Sequence, residues 1–240
     1  MSAKPRVLLV EDDAPIRSLV ALALEDEPIE LLACESVTEA LGVLEVGPVQ
    51  LLITDLMMPG QSGFDLLAVL QDRPQLRGCA RLAVFSAGVG QEGQERLQAL
   101  GVERVFTKPM SLADFVAGVK DMLASPQGGQ TVRQGLSEAD PFAGDEALRG
   151  AFTESCLLQW PQDLREGDRA CAASDTGHLR RVAHNLKGSL RLLRAHTEAE
   201  MALQLERACA EATWPPDGQA RWEGLSAALK VLAERLPPLR

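Results

Sequence analysis

"QLLITDLMMPGQSG" (residues 50–63) opens with a run of apolar and β-branched residues, meets Asp55, and breaks at Pro59-Gly60. Such a run reads as a buried strand that ends on a carboxylate and then turns. The same pattern recurs outward in both directions. RVLLV (6–10), IELLAC (29–34), RLAVFS (81–86) and ERVFT (103–107) read as four more buried strands. Between them, 14–26, 37–46, 64–72, 91–100 and 111–123 place apolar residues three and four apart, which is the helical period. Five alternations of strand and helix predict an α/β domain, a (βα)5 doubly wound parallel sheet covered on both faces.

Residues 124–144, ASPQGGQTVRQGLSEADPFAG, are rich in Gly, Ser, Gln and Pro and read as a linker. Beyond it the β-branched runs vanish. Residues 145–240 read as helices only, with breaks near Trp160-Pro161, at 174–177 and at 214–218. About four amphipathic helices predict an all-α antiparallel four-helix bundle. The expected domains are therefore 1–123, a linker at 124–144, and 145–240.

The totals narrow the function classes. A net charge of -10 argues against nucleic acid as a partner, because phosphate backbones need a basic face. The longest apolar runs are far too short to span a membrane, and the N-terminus turns acidic too soon for a signal peptide, so a cytoplasmic protein is expected. Five widely spaced cysteines without a CxxC pair read as buried reduced thiols.

In an open parallel sheet, ligands bind at the carboxyl edge of the strands. Here strand one runs into Glu11-Asp12-Asp13, strand three into Asp55, strand four into Ser86, and strand five into Lys108-Pro109. Singly, each has a plain structural reading: Asp13 as a helix cap before Ala14-Pro15, Asp55 as a turn residue, Ser86 as a cap, Lys108 as a solvated lysine. Gathered at one edge, they suit phosphoryl chemistry better. Crowded carboxylates call for a hard cation such as Mg2+, one of them can attack phosphorus, and a lysine can offset charge on the transferring oxygens.

The pieces "VLLVEDD", "LLITDLMMPGQSG", "AVFSAG" and "VFTKPM", in that order over residues 6–110, resemble the receiver domains of bacterial response regulators. The resemblance implies that Asp55 is the phosphoacceptor. It implies that Asp12 and Asp13 hold Mg2+ with Asp55, and that the Met57 backbone carbonyl is a further ligand. Ser86 and Lys108 would contact the phosphoryl group, with Lys108-Pro109 a cis peptide. Val105 stands where the family usually has the Tyr or Phe of its aromatic switch. Met57 and Gly88 occupy the positions that tune acyl-phosphate hydrolysis, and neither offers a group to orient water.

A second centre lies in "RRVAHNLKGSLRLLRAH" (180–196). On a helix, Leu179, Val182, Ala183, Leu186, Leu190 and Leu193 share an arc of about 100°, and His184 lies about 150° from its middle. His184 is thus expected to project from a cationic stripe with Arg180, Lys187, Gly188 and Arg191 as neighbours. A metal is disfavoured by those cations, and no acidic group that would orient a general base is near in sequence. A phosphoryl acceptor fits best. "AHNLKGS", with "DTGHLRRV" before it and "AEMALQLERACAEA" after it, resembles histidine-containing phosphotransfer (HPt) domains over about residues 145–236. By that resemblance His184 is the phosphorylated residue, Lys187 its electrostatic support and Gly188 the access position.

His178 and His196 read as surface or helix-end residues, and Trp160, Trp214 and Trp222 as packing at bundle ends. The two resemblances together imply a phosphorelay protein whose partners are a sensor histidine kinase and a downstream response-regulator receiver. No Gly-rich nucleotide loop suggests a kinase. A DNA-binding output is opposed by 14 basic against 16 acidic residues over 124–240. A bundle kept only for protein interaction is opposed by the intact His184, Lys187 and Gly188.

Overall fold

Runs of leucine and β-branched residues make the centres of these strands apolar, and they pair in the middle of the first domain. The computed structural model describes residues 4–86, 89–108, 110–124, 140–211 and 213–236. In it β1 (Arg6–Val10), β2 (Glu30–Cys34), β3 (Leu51–Thr54), β4 (Arg81–Ser86) and β5 (Arg104–Thr107) form one parallel sheet in the order β2-β1-β3-β4-β5. The chain leaves β1 for β2 on one side and returns to β3 on the other. The carboxyl ends of β1 and β3 therefore flank the switch point where such sheets open a crevice.

The expected helices are present as α1 (Ala14–Leu24), α2 (Val37–Val46), α3 (Gly63–Asp72), α5 (Gln91–Ala99) and α6 (Leu112–Ala124). A short α4 (Pro74–Arg77) is added, opened by a proline at its first position. Strand alternation sorts the core into two faces. Leu8, Val10, Leu52, Val84 and Val105 share one cluster with Ala40 and Leu44 of α2, Leu66, Leu67 and Leu70 of α3, and Leu97 of α5. On α6, Phe115 packs between Phe85 and Phe106, at ring separations of 5.2 and 5.0 Å. The aromatic residue of β5 thus stands one position after Val105 and packs on α6.

The chain divides into two compact units, Met1–Asp145 and Glu146–Arg240. In the second, α7 (Glu146–Ala173), α8 (Thr176–Leu192), α9 (His196–Ala208) and α10 (Gly218–Arg235) each pack on two of the others, closing a four-helix bundle. The break at 174–177 is real: Ser174 takes a positive φ of 51°, and the Asp175 side chain caps α8 by accepting the His178 N–H at 2.9 Å.

The break expected at Trp160-Pro161 does not occur. Helix α7 continues through Pro161, because Phe152, Cys156, Trp160, Gly167 and Ala170 carry one buried stripe across it. Packing of that stripe outweighs the one backbone hydrogen bond that proline removes. Trp160 accordingly stands in mid-helix and not at a bundle end. Trp222 is also central: a Cβ on Gly167 would come within 2.0 Å of its indole, and its Nε1 donates to Asp168 at 2.8 Å. Trp214 is half-buried just before α10.

Cys34, Cys156, Cys171 and Cys209 are buried and free, whereas Cys79 is exposed, contrary to the expectation for all five. The Pro141 carbonyl accepts the Leu112 N–H at 3.0 Å, so the end of the expected linker returns to α6. Most of that linker, Gly88, and the peptide expected to be cis at Pro109 lie outside the described residues. Among the described residues no helix is long and apolar enough to cross a membrane.

Candidate functional site

Beyond β1 the backbone passes Glu11 and Asp12 and enters α1 at Asp13. Pro15 sits in the first turn, and the Asp13 side chain accepts the Ile16 N–H at 3.3 Å as the helix cap. Glu11 enters the crevice instead. Glu11, Asp12 and Asp55 offer carboxylate oxygens that lie within 4.8 Å of one another. This grouping differs from the expected trio of Asp12, Asp13 and Asp55 in one member: an Asp13 oxygen caps α1, and Glu11 stands with Asp12 and Asp55.

Asp55 follows β3 and is 1% exposed. Its Oδ1 accepts the backbone N–H groups of Leu56 and of Met57, the latter at 3.1 Å. Met57 thus adjoins the acceptor carboxylate through its N–H. Lys108 Nζ, at the end of β5, donates to Asp55 Oδ2 at 2.8 Å and to Glu11 Oε2 at 2.7 Å. The Lys108 N–H also donates to the Ser86 carbonyl at 2.7 Å, which brings the ends of β4 and β5 together beside the pocket. Ser86 is buried there. Gly63 is required by close approach: a Cβ on it would stand 2.0 Å from the Asp55 carbonyl oxygen.

The electrostatics are those of a cation site. Burial drives the Glu11 carboxyl well above its ordinary range against the pull of Lys108, and Asp55, Asp13 and Asp12 push it further. Burial alone would lower the Lys108 ammonium, but Asp55 and Glu11 overcome it and hold the group above its usual value. Glu11 Oε1 is shielded from solvent and has no hydrogen-bond partner. A shielded carboxylate oxygen without a donor, set among other carboxylates, fits an oxygen-liganded divalent cation.

In the bundle, His184 is 6% exposed and Lys187 is 5% exposed. Neither projects into solvent as the helical wheel of α8 alone suggests. The cause is α9, which lies along that flank and supplies Glu206. Its Oε1 is 2.6 Å from His184 Nδ1, and its Oε2 accepts from Lys187 Nζ at 2.6 Å. Lys187 Nζ is also 3.3 Å from the same His184 nitrogen. Burial raises the Glu206 carboxyl, yet its hydrogen bonds from His184 and Lys187 prevail and bring it down to about 2. A carboxylate that stays ionised beside Nδ1 favours the Nδ1–H tautomer and leaves the Nε2 lone pair for chemistry. Glu206 is the acidic orienter that sequence proximity did not reveal. Of the other histidines, His178 pairs with Glu166 at 3.6 Å and His196 is exposed at the start of α9.

Residues 7–120 match the family described as the response regulator receiver domain. Over 166 residues the chain is 32% identical to the phosphate regulon transcriptional regulatory protein PhoB of Escherichia coli (strain K12), covering 65% of this chain and 71% of PhoB. The chain belongs to the response regulators. Residues 152–236 of this response regulator match the Hpt domain family. It is also 24% identical to the virulence sensor protein BvgS of Bordetella bronchiseptica over 222 residues, 84% of this chain and 18% of BvgS. A response regulator receiver protein of Pseudomonas putida aligns in structure at 29% identity and a TM-score of 0.46, over 50% of this chain and 99% of that one. Receiver and Hpt domains in one chain make it a phosphorelay protein of two-component signalling, and an output that only binds DNA or protein is not favoured.

Proposed function

We propose that this response regulator accepts a phosphoryl group on Asp55 and relays phosphoryl groups through His184, to or from a partner histidine kinase and a partner receiver, in the cytoplasm. The observation that carries the reading is the hydrogen bond from His184 Nδ1 to Glu206 Oε1 at 2.6 Å, which prepares Nε2 as a nucleophile within a charge-balanced pocket.

At the receiver, an Asp55 carboxylate oxygen attacks the phosphorus of a donor phosphohistidine. The phosphorus–nitrogen bond breaks, its electron pair returns to the donor imidazole, and a mixed anhydride forms on Asp55. Lys108 and Ser86 contact the arriving oxygens. Glu11, Asp12, Asp55 and the Met57 carbonyl would hold Mg2+, which supplies positive charge to phosphoryl oxygens when bound.

At the bundle, His184 Nε2 attacks an acyl phosphate, and the phosphorus–oxygen bond breaks with its electron pair left on the aspartate. The ring gains positive charge, which Glu206 offsets through the Nδ1 proton. Mixing the full chain with autophosphorylated histidine kinases of its own organism tests the reading. Asp55→Asn should lose the acyl label, and His184→Gln should stop delivery to partner receivers. Delivery by His184→Gln at the wild-type rate would refute the relay.

A further inference from the structure

The cations of α8 are not equivalent. Lys187 is committed: its Nζ lies 2.6 Å from Glu206 Oε2. Arg180, one turn before His184, is half-buried, and its Nε is shielded from solvent without a hydrogen-bond partner. Among the described residues Arg180 makes no hydrogen bond or ion pair. A shielded guanidinium N–H without an acceptor is costly, and such a group calls for an explanation.

Its position supplies one. At 100° per residue, Arg180 and Lys187 lie about 40° and 60° round the helix from His184 in the same sense, whereas Arg181 lies about 60° the other way. Helical side chains lean towards the N-terminus, so the His184 ring covers the turn that carries Arg180. The flank shared by Arg180 and Lys187 is the one that faces α9. Glu206 meets Lys187 there, and one turn further along α9 the Arg180 guanidinium acts on the Cys209 thiol, lowering its pKa against burial.

Charge gives the reason. A neutral His184 with Lys187 and Glu206 sums to zero, and a phosphoryl group adds nearly two negative charges. Arg180 is a cation within one turn that no carboxylate has already claimed. The planar fork of a guanidinium matches two phosphoryl oxygens at once.

We propose that Arg180 is the receptor for the phosphoryl oxygens carried on His184 Nε2, and that its unpartnered Nε–H is held in readiness for them. This rests on the reading of His184 as a phosphoryl acceptor. No bond to Arg180 forms or breaks; it donates hydrogen bonds while Nε2 gains phosphorus and the donor's leaving group departs with its electron pair.

The test uses the full chain carrying Asp55→Asn, so that label cannot move to Asp55, with phosphoramidate as the donor. Phosphorus NMR then reports the labelling rate at Nε2 and the pKa of the attached phosphoryl group. Arg180→Met keeps the unbranched stem and removes the fork. It should slow labelling about tenfold and raise the phosphoryl pKa by about one unit, the equivalent of one charge-assisted hydrogen bond. Arg180→Lys should fall between the two. Arg181→Met, which removes the same charge on the opposite flank, should stay within about twofold of the parent, as expected of a charge off the flank that faces α9.

Equal losses in Arg180→Met and Arg181→Met would overturn the proposal in favour of general electrostatics. So would a folded Arg180→Lys protein with the parental rate and parental phosphoryl pKa, even where Arg180→Met perturbs the helix. Absence of label on His184 in every protein, parent included, would instead overturn the acceptor reading on which the proposal stands.

Discussion

Around Asp55 four carboxylates, Glu11, Asp12, Asp13 and Asp55, act on one another, and Lys108 pairs with two of them, Glu11 and Asp55; around His184 one carboxylate, Glu206, is shared by a lysine and an imidazole. The first arrangement leaves an excess of negative charge where still more must arrive, and the second is close to balance before anything binds. On the proposed function, two phosphoryl sites on one chain would thus meet the same electrostatic demand in different ways. The receiver pocket would need a cation from solution, and the bundle would orient its nucleophile with its own residues.

The largest expected effect separates the two sites directly. Chelating Mg2+, or replacing Asp55 with Asn, should remove acyl label from the receiver while phosphoramidate still labels His184 within about twofold of the untreated rate, as a site needing no metal should allow. A fall of His184 label to background on chelation would erase the contrast.

Next in size is Glu206→Gln. It should slow His184 labelling about tenfold, by removing a charged acceptor. It should also weaken the bundle by about 3 kcal/mol in chemical denaturation, because Lys187 loses its buried counter-ion. Asp55 labelling should not change. Parental labelling of His184 in this variant would show that the ring needs no orienter.

Gly63→Ala tests the receiver side. With a Cβ only 2.0 Å from the Asp55 carbonyl, the loop must shift, costing about 1–3 kcal/mol and slowing Asp55 labelling. Unchanged stability and rate would mean that the start of α3 yields freely.

Acid should act on the bundle through Glu206, whose folded value of about 2 lies below its ordinary 4.5. A depressed carboxyl contributes stability that is complete above the unfolded value and lost as pH falls through the folded one. Between pH 4.5 and 2 the wild type should therefore lose stability faster than Glu206→Gln, as read by thermal melts. Parallel losses in both would remove Glu206 from the account.

The smallest effect concerns signalling. Val105 is buried with Val84 and Leu97, and Phe106 packs on Phe115 across the sheet, so the face that usually carries the aromatic switch has none. Phosphorylation should move amide resonances of residues 90–120 only weakly, and Val105→Tyr should strengthen the response. Large shifts in the wild type would contradict this.

Much of this was legible in the sequence. The five strands announce themselves because a strand buried on both faces has to be apolar throughout, and the residues at their ends fall at one edge by topology alone. The choice between Glu11 and Asp13 was not settled by a run of three acids. Pro15 holds the clue, since it fixes where α1 starts and so makes Asp13 the cap. The surroundings of His184 were misread because a helical wheel knows only its own helix. A short turn at 193–195 folds α9 back along α8, and counting outward from it in both directions brings Glu206 opposite His184. Pro161 misled for a related reason: local propensity is weak beside a buried stripe that spans it.

The most direct test of the two-acceptor account is to label the full chain with phosphoramidate and Mg2+ and to sort the label by chemical stability. Acyl phosphate is cleaved by hydroxylamine, and phosphohistidine survives base but not acid. The account predicts both classes in the wild type, loss of only the hydroxylamine-sensitive class in Asp55→Asn, and loss of only the acid-sensitive class in His184→Gln. Either class surviving the loss of its own residue would contradict it.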